Sequence, residues 1–152
     1  MQPLEAFTLD ARRRIKTVLA DIDDTLTTGG RLTAEAYAAL EQLQGAGFLV
    51  FLITGRPAGW CDHIARMWPV DGIVGENGAF YFHYDHETRT FTKRFHTPDG
   101  KRAENRCRLE DLRDEILKRV PGTAVASDQL YREADLAIDF REDVSPLSAE
   151  AI

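Results

Sequence analysis

Apolar residues along this chain follow two rhythms. Val18, Leu19 and Ala20 in "TVLADI" and the stretch "FLVFLI" at 48–53 are short unbroken runs, the pattern of strands covered on both faces. "GIVG" at 72–75 predicts a shorter third strand. Between the runs the spacing turns helical. "TAEAYAALEQLQGAG" puts Leu40 and Leu43 on one side, with Thr33 to cap the start and Gly45 or Gly47 to end the helix. "RPAGWCDHIARMW" predicts a second helix, with Pro57 suited to its first turn. Strand, helix, strand, helix, strand predicts a parallel sheet with crossover helices: an α/β, Rossmann-like, doubly wound core.

The rhythm changes after Gly75. "AFYFHYDHETRTFTKRF" predicts two antiparallel strands joined near 85–88. A helix follows, with Leu109, Leu112, Ile116 and Leu117 at helical spacing, and then two strands in "PGTAVASDQL" and "EADLAIDF". The closing "SPLSAEAI" predicts the first turns of a helix opened by Ser145 and Pro146. The expected organisation is a core over 1–76 and a separate α+β layer over 77–152, inserted after it as a cap.

A chain of 152 residues, 43% hydrophobic, holds enough material for a real core. A formal net charge of -6 argues against binding nucleic acid through phosphates. The basic run Arg12, Arg13, Arg14 reads as a solvated approach to the first strand. Cys61 and Cys107 stand in no metal-like spacing and read as ordinary buried or half-buried residues. With no signal peptide and no long apolar span, the expected setting is the reducing cytoplasm, without a membrane partner. His63, His83 and His86 read as exposed residues rather than ligands. The aromatics between Phe80 and Phe95 suit a sheet packed on a helix, and Trp60 and Trp68 suit core or helix-surface positions.

The chemistry sits at two strand ends. Ligands bind beyond the carboxyl ends of strands in an open parallel sheet. The first predicted strand ends in Asp21, followed by Asp23 and Asp24. Neighbouring carboxylates repel one another, and a divalent cation, best Mg²⁺ with its preference for oxygen ligands, would offset that repulsion. The second strand ends in Thr54, Gly55 and Arg56, where a hydroxyl, a glycine that admits close backbone approach and free helix N–H groups suit a phosphate. Taken singly, Thr54 could as well be a helix cap.

"VLADIDDTL" resembles the first motif of the haloacid dehalogenase-like superfamily, an apolar strand followed by Asp-x-Asp-x-Thr, and "FLITGRP" its second. "IVGENGAFYF" and "EADLAIDFRED" resemble the entry to the cap and cap strands in the subfamily of the Cof-type, sucrose-phosphate and trehalose-phosphate phosphatases. The resemblance implies an Mg²⁺-dependent phosphomonoesterase acting on a small phosphorylated metabolite such as a sugar phosphate. Asp21 would be the nucleophile that forms an aspartyl-phosphate, and Asp23 the acid and base. Mg²⁺ would be held by the Asp21 carboxylate and the Asp23 backbone carbonyl. Thr54 and Gly55 would bind phosphate, Arg56 and Asn77 would reach substrate, Thr25 would orient the turn, and Glu76, Asn77 and Gly78 would form the hinge.

The chain departs from the pattern in two places. The family's third motif, a lysine, and its fourth, an acidic pair, normally follow the cap, and neither stands there. A compact reading would use Lys118 with Asp139 and Asp143, but no glycine precedes Asp139 and 79–95 reads as cap. The favoured expectation is a chain truncated within the cap, its core left with an open apolar face that promotes self-association. Two other classes stand beside it. One is a non-catalytic metal- or phosphate-binding protein. The other is a phospho-accepting receiver domain, which fits poorly because Thr54 has no aspartate beside it.

Overall fold

The computed structural model describes residue 3 and residues 6–152. A short helix, α1 (Leu9–Arg13), carries part of the basic run on an exposed surface, and Thr8 caps it by accepting from the Ala11 N–H at 3.3 Å. Strand β1 (Thr17–Asp21) leads into a tight turn and a small antiparallel flap, β2 (Thr27–Thr28) with β3 (Arg31–Leu32). Helix α2 (Ala34–Gly45) starts where expected: the Thr33 hydroxyl accepts from the Ala36 N–H at 3.2 Å. Then come β4 (Leu49–Ile53), α3 (Ala58–Met67) and β5 (Gly72–Gly75). β1, β4 and β5 pair in parallel, as the apolar runs predict.

A 3₁₀ turn at Glu76–Gly78 reverses the chain into the hairpin β6 (Phe80–Asp85) and β7 (Thr90–Phe95). The sequence reading puts this hairpin in a separate layer. Instead β6 pairs antiparallel with β5, giving one five-stranded sheet in the order β1-β4-β5-β6-β7. The reason is packing. Phe80 and Phe82, 2% and 0% exposed, stack with centroids 4.1 Å apart on the face where Val50, Leu52 and Ile73 meet α3. A strand carrying two buried aromatics finds its apolar partners on the core sheet. Gly75 makes room for it, since a Cβ there would lie 2.2 Å from the Phe80 ring and 2.7 Å from the Cys61 sulfur.

The opposite face of the sheet is open. The strand register aligns Leu19 with Phe51 and Asp21 with Ile53, and Leu19, Leu49 and Ile53 are 64%, 48% and 41% exposed. Parallel strands normally have both faces covered. The open apolar face expected from the sequence is therefore present. Among the described residues β1 is an edge strand whose one partner is β4.

Helix α4 (Asp99–Arg119) has no buried residue, and its Leu112 is 53% exposed. Arg102 ties it to the hairpin, with its guanidinium 3.6 Å from the Phe95 ring centroid. Cys107 on this helix is exposed, not buried, because the face it occupies packs on nothing; Cys61 is buried as expected. The two strands expected after α4 are only β8 (Ala124–Val125) and β9 (Ile138–Asp139), paired with each other. Residues 145–152 form no helix, in contrast to the sequence reading; two turns at a chain end lack the packing that sustains a helix.

Candidate active site

β1 and β4 end side by side, which places Asp21 beside Ile53 and brings Thr54 to the same edge. The Asp21 carboxylate is exposed and makes no hydrogen bond or ion pair with the described residues. Beyond it the chain turns sharply. The Ile22 carbonyl accepts from the N–H groups of Leu26 (3.0 Å) and Thr27 (2.9 Å), and Asp24 takes a positive φ of 57°. The side chain that fastens this turn is Thr27, not Thr25. Its buried hydroxyl donates to the Ile22 carbonyl at 3.2 Å and accepts from the Asp24 N–H at 3.2 Å. Thr25 is exposed. Thr27 begins the flap strand, and nothing in its local sequence, Thr25-Leu26-Thr27-Thr28, sets it apart from the threonines beside it.

Thr54 is buried, 3% exposed. Its hydroxyl oxygen accepts from the Arg56 N–H at 3.1 Å, which leaves the hydroxyl proton for another acceptor. Gly55 follows, held close to the Asn77 side chain: a Cβ on it would lie 3.1 Å from the Asn77 Oδ1. The Asn77 N–H donates to the Thr54 carbonyl at 3.2 Å, so the third strand end closes onto the second. Arg56 reaches across to Asp23. Its Nη2 donates to Asp23 Oδ1 at 2.7 Å and its Nε to Oδ2 at 3.0 Å, a two-pronged ion pair. The hydrogen bonds it donates to Asp23 push the Arg56 guanidinium above its ordinary pKa. Asp21, Asp23, Thr54, Gly55, Arg56 and Asn77 thus lie around one edge of the sheet.

Glu76 organises the hinge. It is 3% exposed, with a positive φ of 44°. Its Oε1 accepts from the Ala58 N–H at the start of α3 (2.9 Å) and from the Glu133 N–H (2.9 Å). Its Oε2 accepts from Ala134 (2.6 Å) and Asp135 (3.0 Å). Pro57, at the N-cap, offers no side-chain acceptor, so this carboxylate serves as the cap of α3. Beside it Arg132 donates to Asp128, Asp135 and the Gly55 carbonyl, the last at 3.1 Å. Burial works against the charge of Arg132, but its two carboxylate partners outweigh that and raise its pKa. Burial pushes the Cys61 thiol, beneath this hinge, up to about 12.

The compact alternative finds no support. Both Asp139 oxygens are occupied by the N–H groups of Arg141, Glu142 and Asp143, at 2.7–2.9 Å, which hold its carboxyl below the usual range. Asp143 accepts from the Ser127 hydroxyl at 2.8 Å. Among the described residues no group of three or more His, Cys, Asp or Glu side chains converges as a metal-binding cluster. The donor set at Asp21, a carboxylate without a partner among the described residues, suits a hard cation that takes one or two protein carboxylates and completes its shell with water and substrate phosphate.

Among the described residues no helix is long and apolar enough to cross a membrane. No curated protein matches the chain in sequence. Solved structures do. One from Thermoplasma acidophilum is 20% identical with a TM-score of 0.63, over 82% of this chain and 51% of its own. One from Geobacillus kaustophilus is 20% identical with a TM-score of 0.51, over 82% of this chain and 43% of its own. A haloacid dehalogenase-like hydrolase from Bacteroides thetaiotaomicron is 17% identical with a TM-score of 0.51, over 74% of this chain and 41% of its own. The chain spans about half the length of these structures or less, and the likeness shows the shared α/β, Rossmann-like fold. A sequence profile matches residues 18–111, more than half of the 152 residues, and by that match the chain belongs to the haloacid dehalogenase-like hydrolases.

Proposed function

We propose that this chain carries the phosphoryl-handling half of a phosphomonoester hydrolase. The observation that carries the reading is that an Asp21 carboxylate without a partner among the described residues and a buried Thr54 stand at the ends of adjacent strands. Asp21 attacks phosphorus; the bond from phosphorus to the leaving alcohol breaks, and an aspartyl-phosphate remains. Asp23 protonates the alcohol and then takes a proton from the water that hydrolyses the intermediate. The Thr54 hydroxyl and the N–H groups around Gly55 hold phosphoryl oxygens. Mg²⁺, held by the Asp21 carboxylate and the Asp23 carbonyl, would neutralise charge on the transferred group. Arg56 grips both Asp23 oxygens, so it must release one before Asp23 can serve the leaving group.

The core and cap division belongs to the same proposal. Because the hairpin continues the core sheet, the crossing falls at 96–98, ahead of α4. The substrate is a small phosphorylated metabolite, and the cytoplasm is the setting in which such compounds occur. A second reading, phosphate binding without turnover, rests on the Arg56 grip on Asp23.

The test is phosphate release from sugar phosphates and p-nitrophenyl phosphate, with and without Mg²⁺, beside Asp21→Asn. Release that needs Mg²⁺ and falls by roughly three orders of magnitude in Asp21→Asn is expected. Release insensitive to Asp21→Asn overturns the assignment of the nucleophile. Phosphate binding with no release by a folded sample moves the chain to the second reading.

A further inference from the structure

Two cavities meet at Arg56 and Trp60, and they differ in chemistry. The first, of about 570 Å³, opens between the flap and α3, and Asp23 lies on its wall. Ile22, Leu32, Trp60, Ile64 and Trp68 form most of its wall, and His63 and Tyr131 add polar atoms to it. Thr27 also borders it, but the Thr27 hydroxyl is already engaged with Ile22 and Asp24. The second, of about 370 Å³, lies between Arg56, Trp60 and the segment 126–143. It presents the carboxylates of Asp128, Asp139, Glu142 and Asp143 beside the guanidinium groups of Arg132 and Arg141, and it lacks Asp23.

Resting on the phosphomonoesterase reading, we infer that the first cavity is the leaving-group pocket and that it selects an aromatic or apolar alcohol over a polyol. The proton donor fixes the choice of cavity, because the leaving oxygen must lie within hydrogen-bond reach of Asp23. Chemistry fixes the occupant. A polyol packed against Ile22, Ile64 and two tryptophans would leave unpaired the hydroxyls that face those walls, beyond the few that His63 and Tyr131 could meet, whereas a flat apolar ring gains from the same walls. The Arg56 guanidinium lies 4.9 Å from the Trp60 ring centroid while it pairs with Asp23, so the aromatic wall begins where the charged site ends. The second cavity lacks Asp23, so a leaving oxygen placed there would be out of reach of the proton donor.

The test is calorimetric binding to the full chain in Mg²⁺, carrying Asp21→Asn so that the esters are not turned over, with three probes: inorganic phosphate, glucose 6-phosphate and 1-naphthyl phosphate. The expected result is that 1-naphthyl phosphate binds about tenfold more tightly than glucose 6-phosphate. Trp60→Ala lowers the ratio of 1-naphthyl phosphate to inorganic phosphate affinity about tenfold, and Trp60→Phe restores most of it. Trp60 is 46% exposed, so these variants should fold. Equal affinity for the two esters, with phosphate binding intact, overturns the pocket assignment and leaves the phosphatase reading standing. No binding of inorganic phosphate overturns that reading, and the pocket assignment with it. A ratio unchanged in Trp60→Ala places the ring elsewhere and overturns the assignment alone.

Discussion

Residues 17–95 and 99–143 are held by different forces. The first region is built around α2, α3 and one sheet face, where Val50, Leu52, Cys61, Ile73 and Phe82 are 0% exposed. In the second, α4 has no buried residue and is laced instead by exposed pairs such as Lys101–Glu104 and Arg102–Asp99. Such pairs contribute little in water, whereas burying one aromatic side chain contributes several times more. What joins the second region to the first is mostly polar: the Glu76 carboxylate and the Arg132 knot beside it, with Arg102 over the Phe95 ring and Tyr131 against Gly59 as further contacts. Stability therefore resides in one region, while the position of the other is set by a few directional bonds.

The sharpest way to break this comparison is to truncate one apolar side chain in each region. Phe82→Ala is expected to lower unfolding stability by about 4 kcal/mol, and Leu112→Ala on α4 by less than about 0.5 kcal/mol, read from denaturant midpoints. Similar losses at both sites would mean that α4 carries core after all. Next is the joint itself. Glu76→Ala strips four N–H groups of their acceptor and should lower stability by about 3 kcal/mol. Limited proteolysis should then cut within 126–143 first, while β1–β7 stay protected; uniform cutting would show that the two regions unfold as one. The smallest effect is local and driven by pH. The Asp139 pKa is lowered in the fold by N–H groups from Glu142, Arg141 and Asp143. A depressed acid contributes its bonds above its ordinary value of about 3.9 and loses them as pH falls through the lowered value. The amide resonances of Arg141, Glu142 and Asp143 should shift together below about pH 4, and Asp139→Asn should abolish that step. Amides that stay fixed through this range would mean the loop is held by something else.

Much of the first region was legible because its signals are local. Three apolar runs, a Thr33 cap and glycines at helix ends each leave a mark within a few residues. The strand-end residues Asp21, Asp23, Thr54 and Arg56 were legible for the same reason, since each follows its run directly. The hairpin's place in the core sheet was not, because alternation reports that a face is buried, not against which neighbour. Glu76 was legible as part of a hinge but not as the cap of α3, which it reaches from eighteen positions away. Thr27 and the Arg132 knot depend on contacts that spacing alone does not encode. The helix expected at 145–152 follows start signals that are present in the sequence but gain no packing to sustain them.

The edge position of β1 has a dynamic consequence. A strand bonded on one side can peel away by breaking a single ladder, whereas β4, bonded on both sides, cannot. The Asp21 carboxylate thus rides on the more easily detached of the two strands that form the site, and the Thr54 hydroxyl on the better anchored one. Amide exchange along 17–21 should outpace exchange along 49–53. Anything that paired with the outer side of β1 would steady the Asp21 carboxylate without touching Thr54.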